Sequence, residues 1–228
     1  HRFQWSPNGT SGSAVDVDYT SVLSADTWYH IAWCRDGDDD LRFFVDGTQV
    51  GSTATTVTGA AHDGDVDLKI NVGGANGGDI SNYMDEIRIS NSARYTSNFS
   101  VETSAFTTDG NTKLLLHCDG SDDGTSFPDS SESANRHTIT ANGDVANTRA
   151  QYKVGTSSIK FDGTGDYLSS PDSADWDVFG SSSDNWTIDF FVKHTDHAGS
   201  ETYLSQSEDS SNYWQLAHYH SGGLWFGV

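Results

Sequence analysis

Apolar and polar residues alternate along most of this chain in short runs, and each run is closed by a cluster of Gly, Asp, Ser or Asn. Alternation with period two over roughly four to eight residues predicts half-buried β-strands, and the clusters predict the turns between them. Strands are expected near 28–35 (WYHIAWCR), 41–46 (LRFFVD), 66–72 (VDLKINV), 83–89 (YMDEIRI), 113–118 (KLLLHC) and 137–141 (HTITA). Others are expected near 157–162 (SSIKFD), 166–169 (DYLS), 186–193 (WTIDFFVK), 202–206 (TYLSQ), 213–219 (YWQLAHY) and 224–228 (LWFGV). In WTIDFFVK the alternation puts Trp186, Ile188 and Phe190 on one face. No segment carries a sustained helical stripe, although 90–97 (SNSARYTS) has room for one helical turn. Many short strands without long helices predict an all-β fold, an antiparallel jelly-roll β-sandwich or barrel.

Asp36-Gly37 and Asp46-Gly47 bracket the strand LRFFVD, and Asp-Gly pairs tolerate the positive φ of tight hairpins. Asn76-Gly77-Gly78 and Ser221-Gly222-Gly223 read the same way. The stretch 91–112 is polar, nearly strand-free and long for a loop inside a domain. It reads as a joint, which divides the chain into a half at 1–100, a linker at 101–112 and a half at 113–228.

Composition sharpens this picture. A chain of 228 residues suits one large sandwich. With 33 acidic against 12 basic residues, the net charge is −21, which repels nucleic acid and anionic membranes. No apolar run is long enough to cross a membrane, and no signal peptide is present, so membrane insertion is not expected. The chain starts at His1 without Met, as a processed product or a window from a longer protein would. Cys34 and Cys118 each lie in a strand-like apolar run, as buried thiols do, and a mutual disulfide stays open.

Five segments carry a family resemblance: TWYHIAWCRDGDDDLRFFVDGTQVG (27–51), YMDEIRISNSARYTSNF (83–99), TKLLLHCDG (112–120), SSIKFDGTGDYL (157–168) and NWTIDFFVK (185–193). The chain resembles the laminin-G-like (LamG) branch of the concanavalin A-like lectin/glucanase superfamily. Domains of that kind normally run from the LLLHCDG-like strand through FDGTGDYL, WTIDFFVK, WYHIAW and FVDG to the DEIRIS-like strand. Here the finishing strands come first and the starting strands second. The resemblance therefore implies a sandwich cut from a tandem array, a circular permutant closed on itself, or one completed by a neighbouring copy. Half a sandwich alone would leave an unpaired edge and an open core.

The resemblance also implies a structural Ca²⁺ where first and last strands meet, at Asp85, Asp119 and the Asp162-Gly163 turn. Each Asp has the alternative of capping a turn. DGSDDG at 119–124 has acidic spacing like a calcium loop but lacks the closing Glu and the flanking helices, and DGDDD at 36–40 reads as a solvated hairpin tip. Trp5, Tyr213, Trp214, Tyr219 and Trp225 gather near the joined chain ends. As a ligand surface they would stack on sugar rings; as alternating strand residues they belong to the core. The pairs His218/His220 and His194/His197 lack a third metal ligand at motif spacing and read as surface or core histidines. Sequons stand at Asn8, Asn98 and Asn185.

No Glu-x-Asp-x-x-Glu cluster, nucleophile elbow, catalytic Cys–His motif or phosphate loop occurs, so no enzyme is expected. The expected function is a structural or adhesive repeat unit of an extracellular, cell-surface or virion fibre or filament, with copies of itself as partners. The alternative is a calcium-supported, carbohydrate-binding module with a polysaccharide partner.

Overall fold

The computed structural model describes residues 1–5, 15–20, 23–55, 65–72, 81–132, 134, 136–177, 184–196, 200–209 and 211–219. The first half contributes β1 (Arg2–Trp5), β2 (Val15–Asp18), β3 (Trp28–Arg35), β4 (Leu41–Val45), β5 (Thr48–Gln49), β6 (Leu68–Ile70) and β7 (Ser81–Ser90). The second contributes β8 (Thr112–Leu116), β9 (Thr140–Asn142), β10 (Ala146–Thr148), β11 (Ser158–Asp162), β12 (Tyr167–Ser170), β13 (Trp186–His194), β14 (Ser200–Ser207) and β15 (Tyr213–Tyr219). A 3-10 turn at Ala174–Trp176 is the helical element among the described residues. The expected helical turn at 90–97 is absent.

Among the described residues all pairings are antiparallel and form two sheets. One has the order β2-β1-β15-β14-β6-β12-β9. The other runs β10-β11-β7-β13-β3-β4-β5, and β8 continues the edge of β7 beyond β11. Strands of both halves interleave: β1 pairs with β15, β6 with β12 and β14, and β13 with both β3 and β7. Strands of the two halves thus pair with one another within the chain.

The strand alternation builds the core directly. Ile31 and Trp33 of β3, Met84 and Ile89 of β7, and Trp186, Ile188 and Phe190 of β13 face Phe3, Trp5, Leu204, Trp214 and Leu216 of the opposite sheet in one buried cluster. The alternate residues Ala32, Cys34, Phe44 and Phe191 point to the other side of the same sheet and are buried too. The reason is the stretch 91–112. It is no free linker but a strap laid over that outer face: Tyr95 and Phe99 pack on Ala32, Cys34 and Phe44, and Phe106 on Leu115 and Phe191. Gly47, at φ +72°, lets the strap close in, because a Cβ there would run into the Phe99 carbonyl. Phe99 N–H also donates to Gly47 O at 2.9 Å. Cys34 lies under the strap and Cys118 in the main core, both as buried free thiols.

Beneath the strap, β7 and β13 place Arg88 directly opposite Asp189. The guanidinium grips the carboxylate with two bonds, Nε to Oδ1 at 3.0 Å and Nη2 to Oδ2 at 2.7 Å, and Tyr95 OH donates to Oδ2 at 2.9 Å. The Phe106 ring covers the guanidinium at 4.2 Å.

Candidate functional site

Three groups of side chains have the chemistry of sites. The first arises from a β-bulge. Opposite β13 the register of β7 slips between Asp189 and Phe191, with Glu86 at φ +49°. Met84 and Ile87 both face the core, so the extra residue sends Asp85 and Glu86 together to the other side. Asp85 Oδ2 accepts from the N–H groups of Lys153 and Val154 at 2.8 and 2.9 Å, while its buried Oδ1 has no hydrogen-bond partner. Burial, reinforced by Glu86 and Asp119, pushes the Asp85 carboxyl up to about 7. Glu86 accepts from Phe106 N–H at 2.8 Å and meets His117 Nδ1 at 3.0 Å. Asp119 is exposed; its Oδ1 accepts from the N–H and hydroxyl of Thr156.

Asp162 and Gly163 do not join this group. Ile159 of β11 stands opposite Met84 and Asp162 opposite Ser81, so Asp162 lies about 10 Å further along the strand at ~3.4 Å per residue. The expected single calcium site is therefore divided. Asp162 instead meets Asp144 and Asp166 where the β9–β10 and β11–β12 turns come together, with carboxylate oxygens within 4.8 Å of one another. Asp166 is buried there. It accepts from Asp162 N–H at 2.9 Å and Asp144 N–H at 2.8 Å, and burial raises its carboxyl above the usual range despite those bonds.

The aromatic residues singled out in the sequence require a correction. Trp5 and Trp214 are each 2% exposed and lie in the central core. Trp214 Nε1–H donates to Gln206 Oε1 at 2.9 Å between the sheets, and Tyr213 is buried as well. None presents a face for stacking, because burying their large apolar area outweighs anything they offer at a surface. Trp225 lies outside the described residues.

A polar surface lies elsewhere, on the outer face of the seven-stranded sheet. The pairings join Gln4 to Gln215, Gln215 to Ser205, Ser205 to Lys69, Lys69 to Ser169 and Ser169 to Thr140. Each lies next to a core residue on its own strand, so alternation turns this row outward. Gln4, Gln215 and Ser205 are covered; toward the β9 edge the row opens. There the half-buried Tyr167 stands opposite Asn142, with Lys69 Nζ 5.7 Å from the Tyr167 ring centre and Asn142 Nδ2 donating to Ser169 Oγ at 3.1 Å. The Asp144–Asp162–Asp166 group adjoins it, since Asp166 precedes Tyr167 and Asp144 follows Asn142 by two residues.

The third group is buried between the sheets at one end of the sandwich. His194, the last residue of β13, and His218 of β15 both meet Glu201 of β14: Nδ1 of each lies 2.6 and 3.0 Å from Glu201 Oε2. Burial alone would raise the Glu201 carboxyl, yet the bonds from His194 and His218 hold it at about 2. Sequence reasoning paired each histidine with a near neighbour and so missed this meeting. Parity along the strands was the available signal: His218 shares the inward side of Trp214 and Leu216, and His194 that of Val192.

Residues 1–99 match a family model, Laminin_G_3, described as Concanavalin A-like lectin/glucanases superfamily. Over that stretch the chain is similar to laminin-G-type domains of the superfamily. No curated protein and no solved structure matches the chain. The similarity agrees with the two packed antiparallel sheets and supports a generic adhesive or carbohydrate-binding domain. Such domains are generally non-enzymatic and usually extracellular. Among the described residues no helix is long and apolar enough to cross a membrane.

Proposed function

We propose that the chain is a non-enzymatic, extracellular adhesive module that holds neutral polysaccharide on the open part of its seven-stranded sheet. The observation that carries this reading is the patch of Tyr167, Asn142, Ser169, Thr140 and Lys69, which sets a ring face among amide, hydroxyl and ammonium groups on one flat surface. Sugars are recognised by that combination: CH-rich ring faces lie on an aromatic ring while donors and acceptors meet the hydroxyls. The net charge of −21 disfavours polyanionic glycans. In a fibre or filament of a cell or virion surface, the same closed sandwich would be the repeating structural unit that carries this patch outward. Retention on a glycan array tests the reading. Tyr167→Ala is expected to weaken binding at least ~10-fold, the order lost with one stacked ring and its contacts. Absence of binding to any neutral glycan overturns it.

Calcium enters as support for the fold. Asp85 and Asp119 fit a hard cation, because Asp85 Oδ1 is a buried carboxylate oxygen without a partner, and Asp162 belongs with Asp144 and Asp166 instead. Without the ion, an Asp85 pKa raised from 3.8 to about 7 favours the fold fully below pH ~3.8, and this contribution fades as pH rises through about 7. Calcium would remove that loss. Addition of Ca²⁺ at pH 8 is expected to raise Tm in the intact chain and not in Asp85→Asn, which keeps an oxygen for the Lys153 and Val154 N–H groups. An equal rise in both proteins rejects Asp85 as a ligand.

A further inference from the structure

We propose that His194, Glu201 and His218 form a buried site for a divalent transition-metal ion, Zn²⁺ by its ligand chemistry, which ties the two sheets together at one end of the sandwich. His194 comes from the eight-stranded sheet, Glu201 and His218 from the seven-stranded one. Glu201 and His218 stand directly opposite each other in the β14–β15 ladder, which fixes their spacing. The three donor atoms lie within 4.8 Å of one another, and two of the separations are 2.6 and 3.0 Å. Tetrahedral Zn²⁺, with bonds of about 2.0–2.1 Å, holds its donors about 3.3 Å apart, so small side-chain movements admit the ion.

Two imidazoles and a carboxylate select zinc-like ions over calcium, which prefers oxygen alone. The surroundings fit as well. Tyr203 OH lies 3.0 Å from His194 Nε2, so the far nitrogen is held by a hydroxyl while Nδ1 faces Glu201, as outer partners of metal-bound histidines do. The fourth position has a second, independent pointer. The His1 ring is 7% exposed, lies 4.6 Å from the His218 ring, and has no hydrogen-bond partner at either nitrogen. Either His1 or water completes the shell. A neutral imidazole binds the ion through Nδ1 with its proton on Nε2, where His194 meets Tyr203 OH, so the three ligands and ion together carry a net charge of +1.

The test is titration of the full chain with Co²⁺ in excess Ca²⁺, which occupies oxygen-only sites. One equivalent is expected to give visible absorption that Zn²⁺ abolishes. His218→Gln and Glu201→Gln are expected to lose this signal, and Tyr203→Phe to weaken binding ~10–100-fold at unchanged volume. Since the first two variants remove buried partners and their folding is at stake, X-ray absorption of the Zn²⁺-loaded parent provides the second measurement. A shell containing imidazole supports the site. An all-oxygen shell, absence of stoichiometric binding, or a signal that persists in folded His218→Gln overturns it.

Discussion

Replacement of Asp189 by Ala is expected to cost the fold roughly 3–5 kcal/mol, because it leaves Arg88 charged and buried without its partner. Asp189 is fully buried and Arg88 nearly so. The change also strips Tyr95 of the carboxylate it donates to, and Tyr95 anchors the strap. Urea denaturation measures the cost; a loss below about 1 kcal/mol would place the pair among exposed ion pairs. Replacement of both partners by apolar residues of matching size should restore much of the loss. The pair also resists acid. Burial alone would raise the Asp189 carboxyl, but the Arg88 guanidinium, with help from His30, holds it well below the usual range. Its contribution is thus complete above pH ~3.8 and fades only as pH falls toward that depressed value.

Trp214→Ala is expected to be as damaging, at ~3–5 kcal/mol, and to leave the glycan affinity of the folded fraction unchanged. The indole fills the space between the sheets and satisfies Gln206 with its N–H, so truncation creates a cavity and an unmet amide together. Paired measurements of Tm and glycan retention separate the two roles. Loss of sugar binding at unchanged stability would return Trp214 to the ligand surface. Tyr167→Ala is expected to show the opposite pattern.

The central strands were legible because their pattern is strong. The limits of β3 and β15 agree with the runs WYHIAWCR and YWQLAHY, and the inward face of β13 is the one alternation selects. The short strands β2, β5 and β10 have too few residues to show a period, and they exist because neighbouring strands offer them partners. The strap misled for a different reason. Its local sequence is polar, and its three anchors Tyr95, Phe99 and Phe106 are too few and too widely separated by polar residues to announce an element. What demands it is remote: Ala32, Cys34, Phe44 and Phe191 on the outer face need a cover. The candidate sites followed the same rule. Asp85 and Asp119 could be named from motifs, but the partners of Asp162 depend on which turns meet in space. The His–Glu group draws on three strands and two sheets, which no spacing along the chain encodes.

The interleaving of the two halves also has a consequence in time. Arg2 pairs with Ala217, and β13, from the second half, is the central partner of β3 and β7. β1 finds β2 close by in the sequence, but its other neighbour, β15, is synthesised far later. Closure of such distant pairs is entropically slow, with sandwich-like topologies on the order of milliseconds to seconds. In that interval β3, apolar on both faces, is an uncovered strand. Acidic residues crowd the hairpin that follows it, at Asp36, Asp38, Asp39 and Asp40, where like charge on neighbouring nascent chains opposes edge-to-edge association.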